Sequence, residues 1–414
     1  MRTTGMRTFL SIVAVILSSV MVFPPVCAEK PGQLATPQEE VPQAYFGMHI
    51  HRAGGATPWP SVPVKEWRLW DARVAWPDIE PQKGQWRFQT LDAYLALAAA
   101  HGANVIVPLG LSPRWASARP NEPSVYQPGF AAEPLDVGNW REYVAVVAAH
   151  CKGRVHAYEI WNEPNSKAFW TGSMRQLIQL TRVASLTIHR IDPSALVVSP
   201  SATLGSGVEW LSQFLAEGGG QYVDVIGFHF YVAPQPPEAM VPLIERVKSA
   251  MAQRGFSDKP LWNTESTWPA PKPFPSEDLA AAYLARAYIL NWAAGVSRFY
   301  WYAWDNHAFT AIQTTQADNE TLTPAGQAYG TIQKWLVGAR VDSCAEDSSH
   351  TWTCRLSREE GPEWILWNPD GTVRFSVPPS WRAKSITPLL GERHALSEAS
   401  VEIGPVPELL AATE

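Results

Sequence analysis

The sequence predicts an α/β protein, a (β/α)8 TIM barrel followed by a small C-terminal antiparallel β module. Strand-like and helix-like segments alternate over residues 45–338, which is typical of a parallel sheet with crossover helices. Two of the strand-like segments end in a glutamate, and in such barrels the chemistry takes place at these strand ends. From residue 339 onward the helical period disappears, and short alternating segments separated by Gly and Pro follow.

Eight strand-like segments supply the strand number that a closed barrel of this class needs. Each is short and rich in β-branched or aromatic residues. We place them at 45–50, 66–70, 104–110, 157–162, 196–200, 223–231, 260–264 and 298–304. The helices between them carry end signals: Gly102 closes one, Asn139 is the expected N-cap of the next, and Ser276 precedes an acidic first turn.

The first 28 residues have the pattern of a secretory signal peptide. Arg2 and Arg7 precede an apolar run at 9–22, and Val-Cys-Ala provides a cleavage site after Ala28. The apolar run is shorter than the roughly 20 residues that a spanning helix needs, which favours cleavage over the alternative of a retained anchor. Residues 29–44, rich in Pro, Gln and Glu, are expected to form a linker. We therefore expect a periplasmic or secreted protein whose mature chain has no integral membrane span.

The charge of the chain argues against nucleic acid as a partner. The formal net charge is −6, and loss of the first 28 residues would make it more negative, because they hold two arginines and no acid. The basic surface of a nucleic-acid-binding protein is therefore not expected. We expect a monomer.

Residues 339–414 are expected to form a β-sandwich-like accessory module that stabilises the barrel, with a separate carbohydrate-binding role as the alternative. We place its strands at 340–344, 352–356, 363–367, 373–377 and 401–403. Cys344 and Cys354 flank a hairpin-like segment, and an oxidising compartment favours a disulfide between them. Cys151 falls in an apolar helix and is expected to be a buried free thiol.

The segment AYEIWNEPN carries the first candidate catalytic group. The strand stops there because Pro164 cannot donate to a sheet ladder, which leaves Asn162 and Glu163 at its C-terminal end. The segment PLWNTESTW places Glu265 at the end of a later strand. Two such carboxylates in one pocket are what retaining glycoside hydrolysis requires. We assign Glu163 as the general acid/base, which must hold a proton at neutral pH, and Glu265 as the nucleophile, which must be ionised.

These two segments, together with four others, resemble glycoside hydrolase family 39 of clan A. The others are YFGMHIH, RLWDARVAWPDIEP, GFHFY and FYWYAWD. The resemblance covers roughly residues 45–338 and implies catalytic glutamates on strands four and seven. Within the family it is strongest to enzymes that cleave exopolysaccharides. It therefore implies a retaining, internally cutting hydrolase with a bacterial exopolysaccharide as its partner and with no cofactor or metal.

The resemblance also implies supporting roles. Tyr231 orients Glu265, Arg68 supports the same carboxylate by a charged hydrogen bond, and His229 lines the pocket. Asn162 is expected to donate to the sugar 2-hydroxyl, a contact that strengthens in the transition state. The remaining candidate substrate contacts lie at strand ends or in long loops, and are His49, His51, Trp115, Trp268 and Trp301, the last preferred to Trp304 as the floor of the sugar site.

Two other functions stay open from the sequence. His49, His51, His229 and Asp305 imitate the ligands of a metal-dependent amidohydrolase barrel, but strand five offers no histidine and Glu265 would then have no role. The second alternative is a barrel that binds polysaccharide without cutting it, and the presence of both glutamates argues against it. Metal analysis after chelation and a reducing-end assay would separate the three classes.

Overall fold

A computed structural model of the chain describes residues 33–270 and 274–413. The expected signal peptide and the start of the expected linker lie outside the described residues. The predicted fold class is confirmed: a parallel sheet curls into a barrel surrounded by helices, and an antiparallel β module follows. The barrel strands are β1 (Phe46–Met48), β2 (Glu66–Arg68), β3 (Asn104–Leu109), β4 (Ala157–Ile160), β5 (Leu196–Val198), β6 (Ala202–Thr203), β7 (Ile226–His229), β8 (Leu261–Ser266) and β9 (Arg298–Trp301).

The expected fifth strand is split in two, because Pro200 interrupts the ladder between β5 and β6. β5 pairs with β4, whereas β6 pairs with β7. Single bridges between Val198 and Val225 and between Asn162 and Ser201 join the two sides of the gap. The ring closes there, and the gap turns the Ser201 hydroxyl toward the carboxylate of Glu159 inside the barrel.

The helices cover the outside of the barrel and begin and end at the signals that the sequence contains. They are α1 (Trp76–Ile79), α2 (Gln89–His101), α3 (Val137–Cys151), α4 (Met174–Ile191), α5 (Leu204–Ala216), α6 (Met240–Gln253), α7 (Glu277–Ala293) and α8 (Pro324–Leu336). Ser276 caps α7, accepting a hydrogen bond from the Leu279 amide at 3.1 Å. Asp136, rather than Asn139, caps α3, because its carboxylate reaches the Gly138 amide at 2.7 Å.

The C-terminal module has two layers. Its strands are β10 (Arg340–Glu346), β11 (Trp352–Arg358), β12 (Gly361–Trp367), β13 (Val373–Ser376), β14 (Ser385–Pro388), β15 (His394–Ala395), β16 (Ser400–Ile403) and β17 (Glu408–Ala411). Six of them form one antiparallel sheet, and β13 and β16 form a separate ribbon. The ribbon packs through Phe375 and Ile403 against Trp364 and Leu410 of the sheet. Three of these strands, β14, β15 and β17, were not predicted.

Two further features concern the chain outside the barrel. Cys344 and Cys354 face each other across β10 and β11, with their sulfurs bonded. Residues 33–41, which we expected to belong to a linker, lie along the module: the Leu34 amide donates to the Cys344 carbonyl and the Val41 amide to the Ala339 carbonyl, both at 2.9 Å. Within the described part of the chain, no helix is both long enough and apolar enough to cross a membrane.

Candidate active site

A cavity of about 520 Å³ opens at the C-terminal ends of the barrel strands. Four residues singled out from the sequence line it: Asn162, Glu163, Tyr231 and Glu265. The rest of its wall combines aromatic and polar side chains and includes Trp70, Asp71, Tyr126, Phe169, Tyr302, Asn306 and Phe309. Aromatic walls with a few convergent polar groups are typical of small-molecule sites.

Glu163 enters this cavity because the chain turns sharply after β4. Trp161 and Glu163 have φ values of 63° and 41°, in a left-handed region that is costly for residues other than glycine. Backbone hydrogen bonds hold the turn: the Trp161 amide donates to the Leu109 carbonyl at 2.7 Å, and the Glu163 amide to the Ser201 carbonyl at 3.0 Å. The Glu163 carboxylate lies 2.9 Å from Nδ1 of the buried His229.

Glu265 lies near the end of β8 and is held from two sides. Its Oε2 accepts a hydrogen bond from Arg68 Nη1 at 2.8 Å, and its Oε1 accepts one from the Tyr231 hydroxyl at 2.9 Å. Burial raises the pKa of Glu265 to about 7, against the opposing attraction of His229 and Arg68 and with further upward contributions from the nearby carboxylates. Burial therefore favours the protonated form of Glu265, whereas the Arg68 guanidinium stabilises its charged form.

The two carboxylates are close together. One oxygen of Glu163, one oxygen of Glu265 and a ring nitrogen of His229 all lie within 4.8 Å of one another. Retaining glycosidases hold their carboxyl groups about 5–5.5 Å apart, and inverting ones about 6.5–9.5 Å apart. The 4.8 Å limit applies to one oxygen of each carboxylate, and it is compatible with the retaining arrangement. The same three groups are close enough to share a metal ion, but the Arg68 guanidinium on Glu265 already supplies the positive charge that an ion would bring.

Arg68 joins Glu265 to the barrel interior. Its guanidinium is fully buried and donates three hydrogen bonds: Nη1 to Glu265, Nη2 to the Asn162 side-chain oxygen at 2.9 Å and Nε to Glu159 at 2.5 Å. Because the amide oxygen of Asn162 is used in this way, its NH₂ group is the part left to donate to a substrate.

The structure places the two predicted histidines of strand one behind the cavity wall. His49 is fully buried, its Nε2 lies 2.9 Å from the Thr264 carbonyl oxygen, and its ring packs against the ring of Tyr302 at 5.0 Å. His51 packs on the same ring at 5.0 Å and lies 3.7 Å from the Asp305 carboxylate. Tyr302 lines the cavity, whereas neither histidine does.

The predicted tryptophans also lie outside the cavity lining. Trp301 has no exposed surface, and its ring stacks on that of Trp268, which is itself 4% exposed. Rings without an exposed face cannot support a sugar in this conformation of the chain, and Trp304 is buried as well. Trp115 donates its Nε1 hydrogen to the Glu80 carbonyl and packs on Trp76, away from the cavity.

Asp71 is the most important lining residue that we did not predict. Its carboxylate accepts hydrogen bonds from the Tyr126 hydroxyl at 2.5 Å and from the Tyr302 hydroxyl at 2.6 Å. Asn306 donates to the Tyr302 hydroxyl at 2.8 Å. Asp71 lies just beyond the end of β2, so the strand-end rule that identified Glu163 could have identified it too.

The comparison with protein families agrees with this geometry. Residues 66–312 match the model described as glycosyl hydrolases family 39, and this match covers more than half of the chain. The chain belongs to glycosyl hydrolase family 39. Membership replaces the amidohydrolase interpretation, and it confirms the family resemblance found in the sequence.

Two curated relatives align with part of the chain. The β-xylosidases of Geobacillus stearothermophilus and Caldicellulosiruptor saccharolyticus are 28% and 25% identical to it over 224 residues. These matches cover 47% and 49% of this chain but 43% and 45% of the relatives, so the chain spans under half the length of the curated relatives it matches.

Among solved structures, a family 39 glycoside hydrolase from Bacteroides cellulosilyticus aligns with a TM-score of 0.73 at 19% identity, covering 91% of this chain and 82% of that one. A family 39 β-xylosidase from Caulobacter crescentus aligns with a TM-score of 0.63 at 17% identity, covering 90% and 97%. At these identities the likeness concerns the fold.

Proposed function

We propose that this protein is a retaining glycoside hydrolase in which Glu163 is the general acid/base and Glu265 the nucleophile. The observation that carries the proposal is the pair of carboxylates within 4.8 Å at one cavity. The two differ in their hydrogen bonds: Glu265 accepts from a guanidinium and a phenol hydroxyl, whereas the partner of the Glu163 carboxylate among the described side chains is an imidazole. A neighbouring cation stabilises the ionised form of a group that must attack as an anion.

The first step breaks the glycosidic bond. A Glu265 oxygen attacks the anomeric carbon, while Glu163 gives its proton to the departing glycosidic oxygen, so that a glycosyl ester forms and an alcohol leaves. The Asn162 NH₂ group donates to the 2-hydroxyl as positive charge develops on the ring. Arg68 and Tyr231 hold the attacking carboxylate in its orientation, which contributes to the rate through positioning.

The second step returns the enzyme to its starting state. Glu163, now a carboxylate, takes a proton from a water molecule as the water oxygen attacks the anomeric carbon, and the ester bond to Glu265 breaks. Each step inverts the anomeric centre, so the product keeps the configuration of the substrate.

For the substrate, we propose a bacterial exopolysaccharide that is cut internally, as in the exopolysaccharide endoglycosidase PslG that the sequence resembles. A second cavity of about 310 Å³ supports this proposal, because Trp70, Asp71 and Tyr126 line both it and the catalytic cavity. A chain longer than one sugar could occupy both sides of this shared wall. The curated relatives are β-xylosidases, so terminal β-xyloside cleavage is the second candidate.

The mechanism can be tested with a 2-fluoro glycoside that carries an activated leaving group. The fluorine slows both steps and the good leaving group speeds the first, so the glycosyl ester accumulates. We expect peptide mapping to find the label on Glu265, and proton NMR of a normal substrate to show a first product of retained configuration. An inverted first product, or a label on another carboxylate, would contradict the assignment.

The substrate can be tested with purified exopolysaccharides and with xylo-oligosaccharides, using mass spectrometry of the products. Internal cleavage of an exopolysaccharide yields fragments of several sizes early in the digestion, whereas a β-xylosidase releases xylose from the first turnover. Release of xylose alone would replace the exopolysaccharide proposal by the second candidate, and binding without any product would favour the non-catalytic alternative.

We further propose that the protein is exported by its N-terminal segment and acts as a monomer in the periplasm or outside the cell. The arginines and apolar run of that segment support export. Mass measurement of the exported protein should give a mature chain that begins after Ala28, and light scattering should give the mass of one chain. An uncleaved chain in the membrane fraction would contradict the export proposal.

A further inference from the structure

Glu159 is a buried carboxylate below the candidate active site and does not line its cavity. It lies on β4, where it shares with Ala157 the side of the strand that faces the barrel interior. Its Oε2 accepts the Arg68 Nε hydrogen bond at 2.5 Å. Its Oε1 accepts one from Thr264 at 2.7 Å and another from Ser201.

The space around this carboxylate is tight. Gly227 of β7 passes so close that a Cβ on it would lie 2.2 Å from Ser201 Oγ and 3.5 Å from Glu159 Oε1. Side chains from β2, β4, β8 and the gap between β5 and β6 therefore meet at one point. Such close packing, together with hydrogen bonds to both oxygens, fixes the position of the Glu159 side chain.

Arg68 links Glu159 directly to two side chains that line the catalytic cavity. Its Nε points to Glu159, while Nη1 and Nη2 of the same rigid plane point to Glu265 and Asn162. A guanidinium is planar, so fixing the Nε–H bond fixes the directions of the other two groups. One positive charge is shared between two buried carboxylates, and each reduces the stabilisation that Arg68 gives to the other.

We propose that Glu159 is a positioning residue that aims Arg68 at Glu265 and, through its own charge, helps to set the ionisation of the nucleophile. The catalytic consequence rests on the proposed function, whereas the electrostatic effect on Glu265 does not. Burial, which raises the pKa of Glu265, makes that group sensitive to charges nearby. The titratable or charged groups around it include Arg68, Asp71, Tyr126, Glu163, His229, Tyr231 and Tyr302.

The test is Glu159→Gln, which keeps the size of the side chain and an oxygen for Arg68 but removes the charge. Without the negative charge of Glu159, Arg68 stabilises the anion of Glu265 more strongly, so its pKa should fall by about one unit. We expect this fall in a carbon-13 NMR titration of labelled glutamate carboxyls. In the active enzyme the acid limb of kcat/KM should move to lower pH by the same amount.

The matched control is Glu66→Gln. Glu66 is also a fully buried glutamate on a barrel strand, but its partners are Tyr300, Asn104 and Arg298 rather than Arg68. Its removal should shift the titration of Glu265 much less. Equal shifts in the two variants, or no shift in a folded Glu159→Gln protein, would overturn the proposed effect of the charge.

A second variant separates the orientation of Arg68 from the charge of Glu159. It also provides a test if Glu159→Gln does not fold. Glu159→Asp keeps the charge but withdraws it from Arg68, so kcat should fall about tenfold or more while the acid limb stays near that of the wild type. Full activity in Glu159→Asp would overturn the positioning role. If the wild type hydrolyses no glycoside, the proposed function fails, and the NMR titration still decides whether Glu159 acts on Glu265.

Discussion

At the scale of single residues, the two glutamates proposed to be catalytic are distinguished by their neighbours. Glu265 is held by Arg68 and Tyr231 in the wall of the barrel, where rotation of its carboxylate would break two hydrogen bonds. The Glu163 side chain is 14% exposed and has His229 as its partner, so it can exchange protons with the cavity. A fixed nucleophile and an accessible acid/base are the two roles that double displacement needs.

Glu163→Gln should remove the proton donor of the first step and the base of the second. General acid/base catalysis is typically worth about 10² to 10⁴-fold, so we expect a loss of that size in kcat/KM on a natural polysaccharide. Aryl glycosides with good leaving groups should lose much less in the first step, and the glycosyl ester should then accumulate. Glu209→Gln, an exposed glutamate on α5, is the control, and wild-type turnover in Glu163→Gln would refute the role.

The pH dependence of the reaction should follow Glu265. This residue attacks only when ionised, and burial raises its pKa to about 7, so activity should fall as the pH drops through about 7. Replacing Arg68 by Met removes the cation that favours the ionised form, so the acid limb should move to higher pH. The measurement is kcat/KM against pH, and an acid limb near that of an ordinary exposed glutamate would contradict the burial argument.

The sequence allowed prediction of residues whose position follows from a strand end. Glu163 and Glu265 could be placed because a strand run stops beside each of them. Trp301 could not be separated from Tyr302 in this way, since the point at which β9 ends decides which of two adjacent aromatic rings reaches the cavity. The pairing of Asp71 with Tyr126 joins residues 55 positions apart through a loop, and no local pattern encodes such a contact.

At the scale of secondary-structure elements, regular segments could be predicted and interrupted ones could not. Short segments rich in β-branched and aromatic residues located the barrel strands, but the break between β5 and β6 depends on closure of the ring around Pro200. In the module, β14 and β17 pair with each other and β17 also pairs with β12. These short strands are stabilised by distant partners, which a local period does not reveal.

The disulfide should stabilise the β10–β11 hairpin without affecting the chemistry, because it lies in the module rather than beside the cavity. Closing a loop of this short length contributes about 2–3 kcal/mol. We expect the variant with both Cys344→Ala and Cys354→Ala to lose about that much unfolding free energy in urea and to keep its kcat/KM. Alkylation and mass spectrometry of native exported protein should find both sulfurs blocked, and two free thiols there would contradict the bond.

At the scale of the whole molecule, the module is attached to the barrel through partly buried polar contacts. Glu238, just before α6, accepts a hydrogen bond from the indole of Trp367 on β12 at 2.8 Å and pairs with the buried Arg286 of α7. Arg286 also donates to the Pro405 carbonyl at 3.2 Å. The change of sequence pattern near residue 339 predicted a separate module, but it could not show this interface, because the three side chains come from distant segments.

Glu238 should therefore matter to the stability of the whole chain. Glu238→Ala would leave the Arg286 guanidinium, 1% exposed, without its carboxylate and the Trp367 N–H without its acceptor. Removing one partner of a buried pair typically costs about 3–5 kcal/mol, because the other charge stays buried. We expect a loss of that order in the free energy of unfolding, measured in urea by tryptophan fluorescence. The control is Glu245→Ala on α6, whose exposed pair with Lys248 should contribute at most about 1 kcal/mol. Equal losses in the two variants would mean that the interface does not depend on the Glu238 contacts.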